Sequence, residues 1–201
     1  MNFILKGISY ALHPLIMPLL GVIFYFSKTP RFIPIEIVQA KVFSTVLLTV
    51  ILPILVFFLL KTMRKVDSIS LKSTNERKLP LFINAIIITL IVSRIFTYNE
   101  IPELFYFFIG LLASTITCFI LLVFNIKASI HMFAASGFFM FAMVVGIHFK
   151  ININGTIALM AILLGAIATS RLHLRAHTYP ELIIGTLIGF IPQLIVLKYW
   201  L

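Results

Sequence analysis

The sequence predicts an all-α fold, a polytopic transmembrane helical bundle of six to seven spans, with residues 1–201 forming a single integral membrane domain. Three observations carry that prediction. Hydrophobic residues make up 61% of the chain and charged residues only 11%, where a soluble domain carries about 25% charged residues. The apolar runs are continuous over roughly 20 residues, the length a helix needs to cross the hydrocarbon of a bilayer. They do not alternate polar with apolar, as the strands of a membrane barrel must.

The charge balance fits this class. Sixteen Lys and Arg against six Asp and Glu give a net charge of +10. In a soluble protein that excess suggests nucleic acid. Here the cations gather in loops and at helix ends, as in membrane proteins generally, so no nucleic-acid partner is expected and part of the excess is available to an anionic substrate. The single cysteine, Cys118, lies in an apolar run and excludes an internal disulfide and a cysteine metal cluster. The N-terminus has Lys6 and an apolar run without a cleavage site of small residues, and reads as a retained span.

The first span runs from about Ile8 to Phe26 and holds His13, Pro14 and Pro18, which predict a kink or break near its start. His13 is a candidate functional group, set against the commoner role of a histidine resting in the membrane interface. A loop from Ser27 to Glu36 carries Lys28, Arg31, Pro30 and Pro34. The second span, about Val38 to Leu60, contains Pro53, a defect that neighbouring helices absorb. Lys61 to Pro80 is the longest polar stretch and reads by itself as a solvated basic loop. The third span is about Leu81 to Phe96, with Arg94 able to snorkel. The fourth is about Leu104 to Phe124, the fifth about Ser129 to Phe149, the sixth about Thr156 to Thr169 and the seventh Glu181 to about Leu197. The count falls to six if the first segment is re-entrant. Two spans separate the 61–80 stretch from the 125–128 turn, and two more separate that turn from the 170–180 segment. An even number of crossings places all three on one membrane face, where they can build one site.

Ionisable groups at membrane depth are costly and mark function, and they concentrate in these segments. In SRLHLRAHTYPE, residues 170–181, His177 and Glu181 stand four apart, the spacing that puts two side chains on one helical face. A carboxylate there fixes the imidazole tautomer and raises its basicity. Glu181 also closes a capping box with Thr178 at the start of the last span, and the two roles are compatible. Arg171 reaches the same point from the preceding residues. For Arg171 and Arg175 the competing role is interface anchoring. Lys127-Ala-Ser-Ile-His131 opens the fifth span. Its helix start presents unpaired N–H groups and a positive dipole end. Ser129 adds a hydroxyl, though a plain N-cap is its commoner role. His131 adds a proton that moves near neutral pH. His173 and His177, also four apart, form a weaker pair of metal ligands, opposed by the surrounding arginines. His148, near a span end, reads as interfacial.

These residues carry a resemblance. Ser170, Arg171, His177 and Gly185 match in spacing the third motif of the type-2 phosphatidic acid phosphatase superfamily, S-R-x5-H-x3-D, with Glu181 in place of the usual Asp. Ser129-Ile130-His131 resembles the second motif, P-S-G-H, with Ala128 for Pro and Ile130 for Gly. The first motif, K-x6-R-P, is matched loosely by Arg77 and Pro80, with Ser70 where its Lys would stand and Lys72 or Lys78 as the replacement cation. The resemblance covers a core of about residues 61–190.

The resemblance implies a metal-free, cofactor-free membrane phosphatase acting on a lipid phosphate substrate such as phosphatidic acid, phosphatidylglycerol phosphate or polyprenyl diphosphate. It implies His177 as the nucleophile that forms a phosphohistidine, Glu181 as the group holding its ring, and His131 as the acid for the leaving oxygen. Arg77, Arg171, Ser129 and a lysine, Lys72 or Lys78, would hold the phosphate, and membrane lipids would be the immediate surroundings. The expected setting is a bacterial cytoplasmic membrane. A competing expectation, of another class, is a catalytically inactive protein of the same fold that binds anionic lipid headgroups or transports an anion.

Overall fold

The structure, a computed structural model, describes the backbone of residues 2–66 and 74–201, and the side chains of the first helix from residue 5 onward. All regular structure among the described residues is helical. In chain order the α-helices are α1 (Asn2–Ala11), α2 (Met17–Lys28), α3 (Ile35–Val46), α4 (Leu52–Thr62), α5 (Thr74–Arg94), α6 (Pro102–Val123), α7 (Ile130–His148), α8 (Asn154–His173) and α9 (Tyr179–Leu197). Six described segments are long and apolar enough to cross a membrane, namely Leu5–Lys28, Ile35–Thr62 and the helices α6 to α9. The protein is an integral membrane protein with an all-α bundle.

Both proline defects predicted in the first two spans are present, each resolved locally. Residues that precede proline avoid the α region, and His13, before Pro14, sits at φ −68°, ψ 142°. The chain leaves α1 there, makes one 3₁₀ turn over Pro14–Ile16, and re-enters helix at Met17. In the second span Pro53 lacks the N–H that would bond residue 49. A π turn over Leu47–Ile51 precedes it, and the Leu52 N–H reaches back five residues to the Leu47 carbonyl.

Two helix boundaries differ from the sequence expectation, and both differences bear on the site. The 61–80 stretch is not one loop: α5 begins at Thr74, so Arg77, Lys78 and Pro80 lie on a helix. The sixth span does not end at Thr169. It runs to His173 and takes Ser170 and Arg171 with it. Charged residues end an apolar run without ending a helix, and cations near a helix C-terminus are favoured by its dipole. The true stop is a Schellman cap, in which Arg175 takes a left-handed conformation (φ 49°) while the Ala176 N–H bonds the Arg171 carbonyl and the Arg175 N–H bonds the Leu172 carbonyl. The same cap closes α4 at Arg64, α6 at Asn125 and α7 at Lys150.

Helix α7 is the axis of the bundle, with 61% of its span buried, against 11% for the Ile35–Thr62 and α8 spans. Helix α9 packs along it at backbone distance. In lipid the solvent offers no hydrophobic drive between helices, so small residues that admit close approach matter more than bulk. A side chain on Gly185 would stand 2.6 Å from the Ser129 carbonyl oxygen, and one on Gly189 would meet Ser136 Oγ, the Phe133 carbonyl and the Gly137 amide. The Ser136 hydroxyl donates to the Thr186 carbonyl at 3.1 Å, and the Ser114 hydroxyl on α6 donates to that of Ile188 at 2.7 Å.

Farther from the site, Phe107 and Phe141 stack with centroids 4.3 Å apart. Beyond them the opposite end of the bundle is fastened by Glu103, only 1% exposed, which pairs with Arg31 at 2.6 Å and accepts the Tyr25 hydroxyl at 3.1 Å. His148 Nε2 stands 3.4 Å from the same carboxylate and its ring packs on Trp200. His148 is therefore tied into a polar cluster rather than resting in an interface.

The small-residue seam gives a test. Gly189→Ala should lower the thermal midpoint in detergent, in line with the cost of about 1–3 kcal/mol for overpacking. Gly165→Ala, at a position on α8 where an added methyl meets nothing within 4 Å, should leave it unchanged or raise it, since alanine is favoured over glycine in a helix by about 0.5–1 kcal/mol. An equal response at the two positions would remove the seam as a packing determinant.

Candidate active site

Five parts of the chain meet at one end of the bundle: the first turn of α5, the turn before α7, the start of α7, the last turn of α8, and the loop into α9. The parity of crossings read from the sequence agrees with this convergence.

His177 and Glu181 form its centre. His177 Nδ1 and Glu181 Oε2 are 2.6 Å apart, and the His177 side chain is 2% exposed. The pair does not lie on one helical face, as the spacing suggests. His177 belongs to the loop, and α9 starts two residues later. They meet because Glu181 is the third residue of α9 and folds back over the helix start, where its carboxylate also receives the Thr178 N–H at 3.4 Å. Pairing with His177 and closing the capping box are thus one conformation. With Nδ1 turned to a carboxylate, the lone pair of Nε2 is left for chemistry.

The start of α7 is fixed against this pair through the backbone. The Ser129 N–H donates to the Glu181 carbonyl at 3.0 Å, an approach that Gly185 allows. Ser129 is fully buried and caps α7, accepting the Met132 N–H at 3.4 Å. Its hydroxyl is therefore engaged in the cap while its backbone ties two site elements together. His131, two residues further on, lies within electrostatic range of His177 and Arg171. Its Nε2 is buried and takes no hydrogen bond among the described residues.

Cations ring the pair. Arg77 is buried (4% exposed) and its guanidinium donates to the Ala128 carbonyl at 3.4 Å, next to the cap of α7. Arg171 donates from Nη1 to the Ser9 hydroxyl at 2.8 Å, while its buried Nε has no partner among the described residues. Lys127 donates from Nζ to the Ala176 carbonyl, the residue before His177, at 3.2 Å.

Of the lysines expected to supply the third cation, Lys72 lies outside the described residues. Lys78, turned about 100° from Arg77 around α5, makes no hydrogen bond or ion pair with the cluster among the described residues. Lys127 takes that place. Its signal was its position two residues before Ser129, which sequence reading spent on the helix start alone.

The N-terminal segment also enters the site. Besides Ser9 on Arg171, the Ser170 hydroxyl donates to the Leu5 carbonyl at 2.7 Å, and the His13 ring packs edge to face on His131, with centroids 5.5 Å apart. Ser9 and His13 stand four apart, the one periodic hint in the sequence that both face the same way. His173, the last residue of α8, and Arg175 just beyond it are exposed. The Schellman turn between His173 and His177 separates them, so they do not present one metal-binding face. No group of three or more His, Cys, Asp and Glu is gathered among the described residues.

The electrostatics follow from this crowding. Burial, and then Arg77, Arg171 and Lys127, push the His177 imidazole down to about 3. Burial, and then Arg77 and Arg171, also lower the Lys127 ammonium, with Glu181 opposing. His177 is thus neutral near pH 7, with like charges held together around it. Such a cluster favours an anion, and burial strengthens every interaction within it.

No family model matches the chain, and neither a curated protein nor a solved structure matches it significantly.

The depressed histidine makes a prediction about stability. An unfolded histidine takes up its proton near 6.5, so from about there down to about 3 the unfolded state binds more protons and folding weakens as the pH falls. The thermal midpoint in detergent should be lower at pH 5 than at pH 7.5, and His177→Asn should narrow that gap. A gap unchanged by the substitution would mean that other groups cause it.

Proposed function

We propose that this protein is a membrane phosphatase of lipid phosphates, acting through a phosphohistidine without a metal ion, in keeping with the resemblance of its motifs to the type-2 phosphatidic acid phosphatase superfamily. The observation that supports this most directly is the buried His177–Glu181 pair at 2.6 Å within reach of Arg77, Arg171 and Lys127. A neutral imidazole oriented by a carboxylate is an activated nucleophile. Three fixed cations are what the additional negative charge of a phosphoryl transition state requires.

The chemistry balances with these residues. The Nε2 lone pair of His177 attacks phosphorus, and the bond from phosphorus to the ester oxygen breaks. His131 gives a proton to the departing oxygen. Glu181 stabilises the positive charge that develops on the attacking ring. Water then attacks phosphorus and gives a proton back to His131, the N–P bond breaks, and inorganic phosphate leaves with His177 and His131 both restored. Arg171 and Arg77 hold the non-bridging oxygens; a guanidinium suits this because it offers paired donors in one plane. The unpartnered Nε of Arg171 and Nε2 of His131 are buried polar atoms of the kind a bound substrate satisfies.

A lipid substrate follows from the setting. The groups lie at the ends of apolar helices, so a phosphate meets them while its hydrocarbon chain remains in the bilayer. Helical spans rather than a barrel fit a cytoplasmic-type membrane, and a bacterial cytoplasmic membrane is the proposed location.

The test is phosphate release by purified protein from phosphatidic acid, phosphatidylglycerol phosphate and a polyprenyl diphosphate, with EDTA present. Release should survive EDTA and fall on the order of 10³-fold or more in His177→Ala, the scale seen when a nucleophile is removed. Arg171→Lys should retain part of the activity, as a point charge replaces the fork. Release unaffected by His177→Ala would sink the histidine mechanism. No release from any substrate by well-folded wild type would favour an anion-binding protein instead.

A further inference from the structure

We propose that His13, on the break in the first span, is a positioning residue that sets the imidazole of His131 for proton transfer to the leaving oxygen. The inference rests on the phosphatase reading above and goes beyond it, because the resembled motifs all lie between residues 61 and 190.

His131 needs such a support. Its Nε2 is buried and takes no hydrogen bond among the described residues, so no protein partner at that nitrogen fixes the ring. An acid that must meet a departing oxygen within hydrogen-bond reach has to be held in angle as well as in place. A backbone hydrogen bond with Ser9 holds its other nitrogen, and the contact that sets its face is the ring of His13, at 5.5 Å between centroids and 75° between planes, an edge-to-face arrangement that aromatic rings favour.

His13 is itself held rigidly. Pro14 fixes it in extended backbone, at φ −68°, ψ 142°, as the cap of the 3₁₀ turn. Its Nδ1 accepts the Leu15 N–H at 3.3 Å. A neutral imidazole whose Nδ1 accepts carries its proton on Nε2, so both the orientation and the tautomer of His13 are set by the helix break. The same segment is anchored one turn earlier, where the Ser9 hydroxyl accepts from Arg171 and the Leu12 N–H bonds the Ile8 carbonyl. Proline in a span weakens the helix. Here Ser9, on the last turn of α1, meets Arg171, and the break that follows turns His13 onto His131.

A group that acts through the acid matters only when the leaving group needs a proton. The experiment compares kcat/KM for a long-chain alkyl phosphate, whose alkoxide leaves poorly unprotonated, with that for nitrophenyl phosphate, whose phenolate leaves without help. The variant is His13→Asn, which keeps a side-chain oxygen to cap the turn and removes the ring. The expected result is a fall of about tenfold on the alkyl phosphate and of less than about twofold on nitrophenyl phosphate, with the same selectivity, larger in size, in His131→Asn. His13→Phe, which keeps a ring against His131, should recover part of the loss, and it carries the same comparison should His13→Asn not fold. Equal falls on both substrates, or no fall, would overturn this inference and leave the phosphatase reading standing. A wild type that hydrolyses neither substrate would overturn both.

Discussion

The site depends on one close approach, that of α9 to the start of α7. Glycine at positions 185 and 189 lets the two backbones come within contact distance. The Ser129 N–H then reaches the Glu181 carbonyl, and a polar seam through Ser136 and Thr186 continues the join along the helices. In a bilayer such packing and hydrogen bonding must replace the hydrophobic drive of a soluble core. This join fixes Glu181, and through the capping conformation it fixes His177. It also sets the start of α7, from which His131 projects. A methyl group at Gly185 would separate the His177–Glu181 pair from His131 before any charged residue was touched.

Around that join the protein holds three cations against one histidine–carboxylate pair. Burial and the mutual repulsion of these cations together lower the Lys127 ammonium. An oxyanion placed among these groups would offset that repulsion, in line with the proposed function. The opposite end of the bundle makes the contrast clear. There the buried Glu103 meets Arg31, Tyr25 and His148. A buried charge matched in this way by partners on two other helices and a loop fastens the fold.

The fold class was legible because hydropathy over about 20 residues is a local property, and a bilayer imposes it directly. The pairing of His177 with Glu181 was legible as well, although the reason differed. The spacing of four suggested a helical face, whereas the contact is made by a side chain folding back over a helix start. Charge does not end a helix: α5 carries Arg77 and Lys78, and α8 runs on through Arg171 to His173. Backbone hydrogen bonds end α8 instead, in the cap at Arg175.

By itself, then, the sequence determined that the chain is a bundle of apolar helices and that Ser170, Arg171, His177, Glu181 and Gly185 stand at fixed spacings around one helix start. Only the tertiary structure decided that Lys127 rather than Lys78 joins the cluster, that the Ser129 hydroxyl is taken up as a cap, and that Ser9 and His13 close on Arg171 and His131. The physical reason is range. Periodicity and spacing report contacts within a few turns of one helix, whereas His13 and His131 are brought together by a proline break and by the packing of the first span against α7, which no local pattern encodes.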